Sequence, residues 1–127
     1  MNTKPQLTIV IPAKNESHNL PLLLTSLSKQ DYPLLPVSRV FVADANSSDG
    51  TPDIAMSFAG RLRVSVIPGG LPSVGRNAGA RLATTPFVLF LDADIELRDT
   101  TLLRRAMDKV NKRKLQCLTT NIRCSNG

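Results

Sequence analysis

Short apolar, β-branched runs alternate along the chain with segments whose apolar positions recur at helical spacing. The runs Leu7 to Ile11, Arg39 to Ala43, Arg63 to Ile67 and Phe87 to Leu91 read as strands, each closed by proline or by polar residues. Pro12 stops the first, and the stripe Leu20, Leu23, Leu24, Leu27 predicts a helix after it, with Ser17 as N-cap and Pro21 in the first turn. Thr51 and Pro52 are expected as N-cap and first residue of a short helix closed by Gly60, and the loop from Pro68 to Pro72 leads into a helix from about Val74 to Ala83. Phe87 to Leu91 is apolar throughout, which predicts a central parallel strand buried on both faces. Asp99 or Thr100 then caps an amphipathic helix with Leu102, Leu103, Ala106, Met107 and Val110 inward and Arg105, Lys109 and Lys112 outward; a last strand-like run covers about Gln116 to Ile122. Strands alternating with helices predict an α/β fold, a mostly parallel sheet with helices on both faces.

Composition narrows the picture. With 127 residues and 42% hydrophobic content, one domain covering 1–127 can bury a core, and a second does not fit. The longest apolar runs, Leu7 to Ile11 and Phe87 to Leu91, fall far short of the ~20 residues of a membrane span, and the N-terminus lacks the parts of a signal peptide, so a cytoplasmic protein is expected. Cys117 and Cys124 read as reduced thiols and His18 as a solvent-exposed imidazole. The net charge of +6 is densest from Arg104 to Lys114; it reads as a solvated helix face, with contact to an anionic membrane or a charged substrate as the weaker alternative. Aromatics at 4% without basic interleaving argue against nucleic acid as a partner.

Candidate chemistry lies at the strand ends, where open α/β sheets bind ligands. Asn15 and Glu16 follow the first strand, Asp44, Asn46 and Asp49 the second, Asp92 and Asp94 the fourth, and all are expected to converge on one edge. Asp92 and Asp94 are two apart, so in extended backbone their carboxylates leave the same face and can share one ion. Hard oxygen ligands suit Mg²⁺ or Mn²⁺, which bind substrate phosphates through one or two protein carboxylates. Gly75-Arg76-Asn77-Ala78-Gly79 is expected to open a helix where Arg76 can meet a phosphate, but the lysine of a P-loop is absent, and the segment reads as a helix start rather than a phosphate site.

In order, four blocks resemble the family 2 glycosyltransferases of the GT-A fold: Ile9-Val10-Ile11-Pro12-Ala13-Lys14-Asn15-Glu16, Val42-Ala43-Asp44-Ala45-Asn46-Ser47-Ser48-Asp49-Gly50-Thr51, Val74-Gly75-Arg76-Asn77-Ala78-Gly79 and Phe90-Leu91-Asp92-Ala93-Asp94. The resemblance implies a nucleoside-diphosphate sugar as donor, a UDP-sugar first and a GDP-sugar second. Pro12, Asn15, Glu16, Asp44, Arg76 and Asp92 would bind it, and Asp94 would hold a divalent cation, Mn²⁺ or Mg²⁺. It further implies transfer to an acceptor hydroxyl with inversion, assisted by a carboxylate base. No acidic residue follows Asp108, so the base is expected downstream of Gly127, and the chain is expected to be the donor half of a longer protein, cut before the acceptor region and associated with the membrane, if at all, through that missing part. Gly75 replaces the family's usual alanine and Ala45 a frequent second aspartate. A haloacid-dehalogenase-type phosphatase shares Asp-x-Asp after a buried strand, but that motif usually opens its domain. A nucleotidyltransferase would carry a glycine-rich loop after the first strand, where Pro12-Ala13-Lys14-Asn15 stands. A non-catalytic nucleotide-binding module remains the alternative from another class.

Overall fold

The structure, a computed structural model, describes residues 4–113. Four strands, β1 (Leu7–Ala13), β2 (Arg39–Asp44), β3 (Arg63–Pro68) and β4 (Phe87–Phe90), form one parallel sheet in the order β3-β2-β1-β4. Four helices connect or follow them: α1 (Leu20–Ser28), α2 (Thr51–Met56), α3 (Pro72–Leu82) and α4 (Leu102–Arg113). Each parallel neighbour requires a crossover, and the chain reverses direction across the sheet between β1 and β4. That is where a crevice opens beyond the strand ends. Among the described residues no helix is long and apolar enough to cross a membrane.

Alternation along the strands divides the sheet into two faces. Leu7, Ile9, Ile11, Val40, Val42 and Val64 point into the main core, where they meet Leu20, Leu23, Leu24 and Leu27 of α1, Ala55 of α2 and Leu103, Met107 and Val110 of α4. These four leucines of α1 are each 0% exposed, whereas Leu22 on the outer face is 54% exposed, so each of the four contributes about 1.5–3 kcal/mol through burial. The opposite face carries Val10, Pro12, Phe41 and Ala43, and α3 lies over β1, β2 and β3 there. Gly75 and Gly79 are buried in that contact: a Cβ on Gly75 would sit 3.2 Å from the Ala43 Cβ, and one on Gly79 would sit 2.6 Å from Val10 Cγ2 and closer still to Cγ1.

Several expectations are corrected. β4 is an edge strand among the described residues; Phe87 and Leu89 pack against the core, whereas Phe90 on the other face is 41% exposed. An apolar run records a preference for burial on both faces, and α3 lies over the other three strands. α1 starts at Leu20 after Asn19, because the Ser17 N–H is donated to Asp49 and a turn intervenes. Gly50, at φ 86°, precedes α2 in place of Thr51, whose hydroxyl is engaged elsewhere, and α2 ends at Met56, short of Gly60. α3 opens at Pro72, which places Gly75 to Gly79 inside the helix rather than at its start. Gln116 to Ile122 lies outside the described residues.

Beyond β4 burial alternates through a turn at Ala93 and Asp94, with Leu91, Ala93, Ile95 and Leu97 buried and Asp92, Asp94 and Glu96 turned toward solvent. It runs back along α1: the Leu97 N–H donates to Ser26 Oγ at 2.9 Å, and buried Gln30 donates to the Asp99 carbonyl and accepts from the Leu103 N–H. The Asp99 carboxylate takes the Thr101 N–H and hydroxyl, and these bonds together with Arg105 hold its pKa below the ordinary value. The expected division of α4 into a buried apolar stripe and an exposed basic face holds for the residues described.

Substituting Gly79→Ala should lower unfolding stability by about 1–3 kcal/mol, because the new methyl must displace a fully buried, β-branched Val10. Gly60→Ala, with open space around its Cβ, serves as the control. Equal urea midpoints for the two variants would show that α3 is not seated this closely.

Candidate functional site

Every loop at the carboxyl edge of the sheet reaches one cleft of about 570 Å³. β1 delivers Pro12, Ala13, Lys14 and Glu16, β2 delivers Ala45, the β3–α3 connection delivers Gly70, Leu71 and Pro72, and β4 delivers Asp92 to Asp94; Arg76 reaches in from α3. Of the residues singled out from sequence, Pro12, Glu16, Arg76, Asp92 and Asp94 are therefore together. Asn15 and Asp44 are not in the lining.

Asp44 ends β2 one residue before the lining residue Ala45. Its Oδ2 accepts the Ser47 N–H at 3.0 Å, while Oδ1 is buried with no hydrogen-bond partner among the described residues. A buried acceptor left unmet costs about 1–3 kcal/mol, which a donor arriving there would offset. Asn15 stands at φ 53° and Asn46 at φ 57°, in the left-handed region where a residue with a Cβ costs roughly 1–2 kcal/mol. Both asparagines sit in the tight loops after β1 and β2, where a short polar side chain tolerates that backbone best.

These two loops are bound to each other. The N–H groups of Asn15, Glu16 and Ser17 donate in succession to Ser47 Oγ (2.8 Å), Thr51 Oγ1 (3.0 Å) and Asp49 Oδ2 (3.0 Å), and the Ser48 N–H returns a bond of 2.9 Å to Asn15 Oδ1. Asn15 is thus spent on the partner loop. Asp49 also accepts the Thr51 hydroxyl and, at 3.1 Å, its N–H. The Thr51 hydroxyl, then the bonds from Ser17, pull the Asp49 pKa from 3.8 down to about 2. Asp49 was expected to converge with the other carboxylates, and the structure assigns it to loop architecture instead. Nothing in its spacing distinguished the two roles.

Inside the cleft, Arg76 Nη2 lies 3.8 Å from Asp92 Oδ1, with side chains 42% and 46% exposed. So exposed a pair is worth about 0–1 kcal/mol and can rearrange around an arriving charge. Asp94 is exposed, and the Asp92–Asp94 backbone turns, with the Ile95 N–H donating to the Asp92 carbonyl at 3.3 Å. Both carboxylates face the same cleft despite that turn. Among the described residues no group of three or more His, Cys, Asp or Glu could enclose a metal ion. The pair fits a hard cation that keeps water and takes its remaining ligands from a bound phosphate. Sequence reasoning missed Lys14 and Leu71 as lining residues. Lys14 lies within the Pro12–Glu16 block, whereas Leu71, 74% exposed, stands in the expected Pro68–Pro72 loop without a polar group to mark it.

Because the folded pKa of Asp49 is depressed, its stabilising effect is present above about pH 4 and lost as pH falls toward 2. The urea midpoint of Asp49→Ala should therefore lie below the parent's by a constant margin from pH 7 to about 4, and the margin should narrow below that. A margin independent of pH down to 3 would show that the ionised carboxylate is not what holds the loops.

Comparison with known proteins agrees with this arrangement. The sequence matches the model of glycosyl transferase family 2 over residues 8–127. It is 36% identical over 95 residues to validoxylamine A glucosyltransferase of Streptomyces hygroscopicus subsp. jinggangensis, an alignment covering 72% of this chain and 22% of that protein. It is 32% identical over 99 residues to the poly(ribitol-phosphate) beta-N-acetylglucosaminyltransferase TarS of Staphylococcus aureus, covering 75% and 17%. The chain thus spans about a fifth of the length of these relatives. Its fold superimposes on S. aureus TarS 1-349 in complex with UDP with a TM-score of 0.78 at 28% identity, covering 86% of this chain and 33% of that one. On the mannosyltransferase PcManGT from Pyrobaculum calidifontis, in complex with GDP-Man and Mn²⁺, the TM-score is 0.73 at 27% identity, covering 84% and 32%. The four sequence blocks, the parallel sheet that brings them to one edge and these matches together make the chain a member of glycosyl transferase family 2 with a GT-A-like α/β fold.

Proposed function

We propose that this chain is the donor-binding half of an inverting, metal-assisted glycosyltransferase. The observation that carries this reading is the charge and composition of the cleft. Glu16, Asp92 and Asp94 face two cations, Lys14 and Arg76, so the bare cleft is net acidic by one charge. A diphosphate entering alone meets repulsion, whereas one that brings a divalent cation meets two carboxylates and two basic side chains arranged for both partners. Relatives with this fold are known in complex with UDP, UDP-GlcNAc, and GDP-Man with Mn²⁺.

In this reading the orphaned Asp44 Oδ1 accepts a hydrogen bond from the nucleoside, Pro12 and Glu16 border base and ribose, and Arg76 approaches the nucleotide. Asp92 lies near the ribose and sugar, and Asp94 holds the ion. A divalent cation, Mn²⁺ or Mg²⁺, held by Asp94 would supply positive charge against that developing on the departing diphosphate. An acceptor oxygen bonds to the anomeric carbon from the side opposite the leaving group as the bond to the diphosphate breaks, and its proton passes to a carboxylate base. That base and the acceptor site are assigned to a region beyond the donor half.

Calorimetric titration with UDP and GDP, each with and without Mn²⁺, should show cation-dependent binding of one of them. Absence of binding to either would overturn the donor assignment. Asp94→Asn should remove the cation dependence while leaving the circular dichroism spectrum unchanged; a parental response to Mn²⁺ would discard Asp94 as the ligand. Asp44→Ala should weaken nucleotide binding by roughly tenfold, one buried charge-assisted hydrogen bond, while dependence on Mn²⁺ persists. Unaltered affinity would refute the role given to Asp44.

A further inference from the structure

The three successive N–H groups donated by one loop to side-chain oxygens of the other are more than is needed to close a turn. Their centre is Thr51, 0% exposed, whose hydroxyl accepts from the Glu16 N–H and donates to Asp49. The Glu16 carbonyl meanwhile accepts the Leu20 N–H at 2.8 Å, at the start of α1. The backbone of a cleft residue is thereby pinned on both sides, by α1 through its carbonyl and by the first residue of α2 through its N–H. Asn15, immediately before it, holds a left-handed backbone that an unsupported loop would relax.

We infer that Thr51 is a positioning residue for the cleft: seated on α2 and out of reach of any ligand, its hydroxyl fixes the Asn15–Ser17 backbone so that Glu16 faces the nucleotide site. The inference rests on the nucleotide reading above. Asp49 orients the hydroxyl by accepting its hydrogen bond, which leaves an oxygen lone pair directed at the Glu16 N–H. Binding energy is then not consumed in ordering this loop, the usual benefit of preorganisation.

Two substitutions at the one position separate positioning from mere packing. Thr51→Val keeps the shape and removes the hydroxyl; Thr51→Ser keeps the hydroxyl and removes a buried methyl. Thr51→Val is expected to raise the nucleotide Kd in the presence of Mn²⁺ by roughly tenfold, whereas Thr51→Ser should bind like the parent even though its Tm falls. Hydrogen exchange without nucleotide should show the Asn15, Glu16 and Ser17 amides losing protection in Thr51→Val while those of β1 keep theirs. Parental affinity in Thr51→Val, or weakening in both variants in step with Tm, would overturn the positioning role. Unchanged protection of the three amides in Thr51→Val would do the same even if the variant bound weakly. A parent chain that binds neither UDP nor GDP would instead remove the nucleotide reading on which the role depends, while lost protection in Thr51→Val would still establish the clamp.

Discussion

Helix α3 can lie on the sheet only because positions 75 and 79 carry no side chain. The spacing of four residues stacks both glycines on one face of the helix, directly over Pro12, Ala43 and Val10. That close seating has consequences at the far edge of the sheet. It brings Leu71, Pro72 and Arg76 to the rim, where they meet the ends of β1 and β4. Were the helix lifted by the width of a methyl group, the Arg76 guanidinium would move away from Asp92 and the cleft would lose one wall. Gly69 adds to the constraint, since a Cβ there would lie 2.7 Å from the Ala43 carbonyl oxygen.

The loops above the sheet solve a different physical problem. Loops after parallel strands have no ladder to satisfy their N–H groups, so these donors need other partners. Here Ser47, Asp49 and Thr51 supply the acceptors, and the hydrogen bonds to the supporting carboxylate hold its pKa at about 2. Carboxylates at this edge thus divide by environment. Asp49 is saturated with donors, Asp44 has one oxygen saturated and one orphaned, and Asp92 and Asp94 remain open to the cleft. A saturated carboxylate holds backbone in place; an open one can receive a ligand.

Arg76 connects these themes. Its backbone belongs to the glycine-seated helix, and its guanidinium sits among the open carboxylates at a distance that leaves the pair loose. A loose pair suits a residue that must exchange one partner for another, because little attraction is lost when Asp92 turns elsewhere. The segment from Leu91 to Leu97 supports the other side: its buried alternate residues hold the strand exit against α1, so that Asp92 and Asp94 are presented from a packed base.

Local sequence determined a good deal. The four strands, the apolar stripes of α1 and α4 and the α/β class were all legible, because hydrophobic periodicity is a property of neighbouring residues. The four motif blocks were legible for the same reason, and they led to the family. What each polar residue does at the strand ends was not legible in this way. Asp49 and Asp94 look alike in a string of letters, and only the return of the β2–α2 loop over the β1–α1 loop made one an anchor and left the other open. The helix start moved from Val74 to Pro72 and turned two glycines expected at the helix opening into packing surface, since a glycine in sequence signals close approach without saying to what. Among the described residues β4 stands at the edge rather than the centre, because a run of apolar side chains records how much surface seeks cover, whereas the position of a strand depends on which neighbours the crossovers bring beside it. Sequence thus settled the elements and the family, and the tertiary structure settled the partners, because a hydrogen bond or a packed face exists only once two distant segments have met.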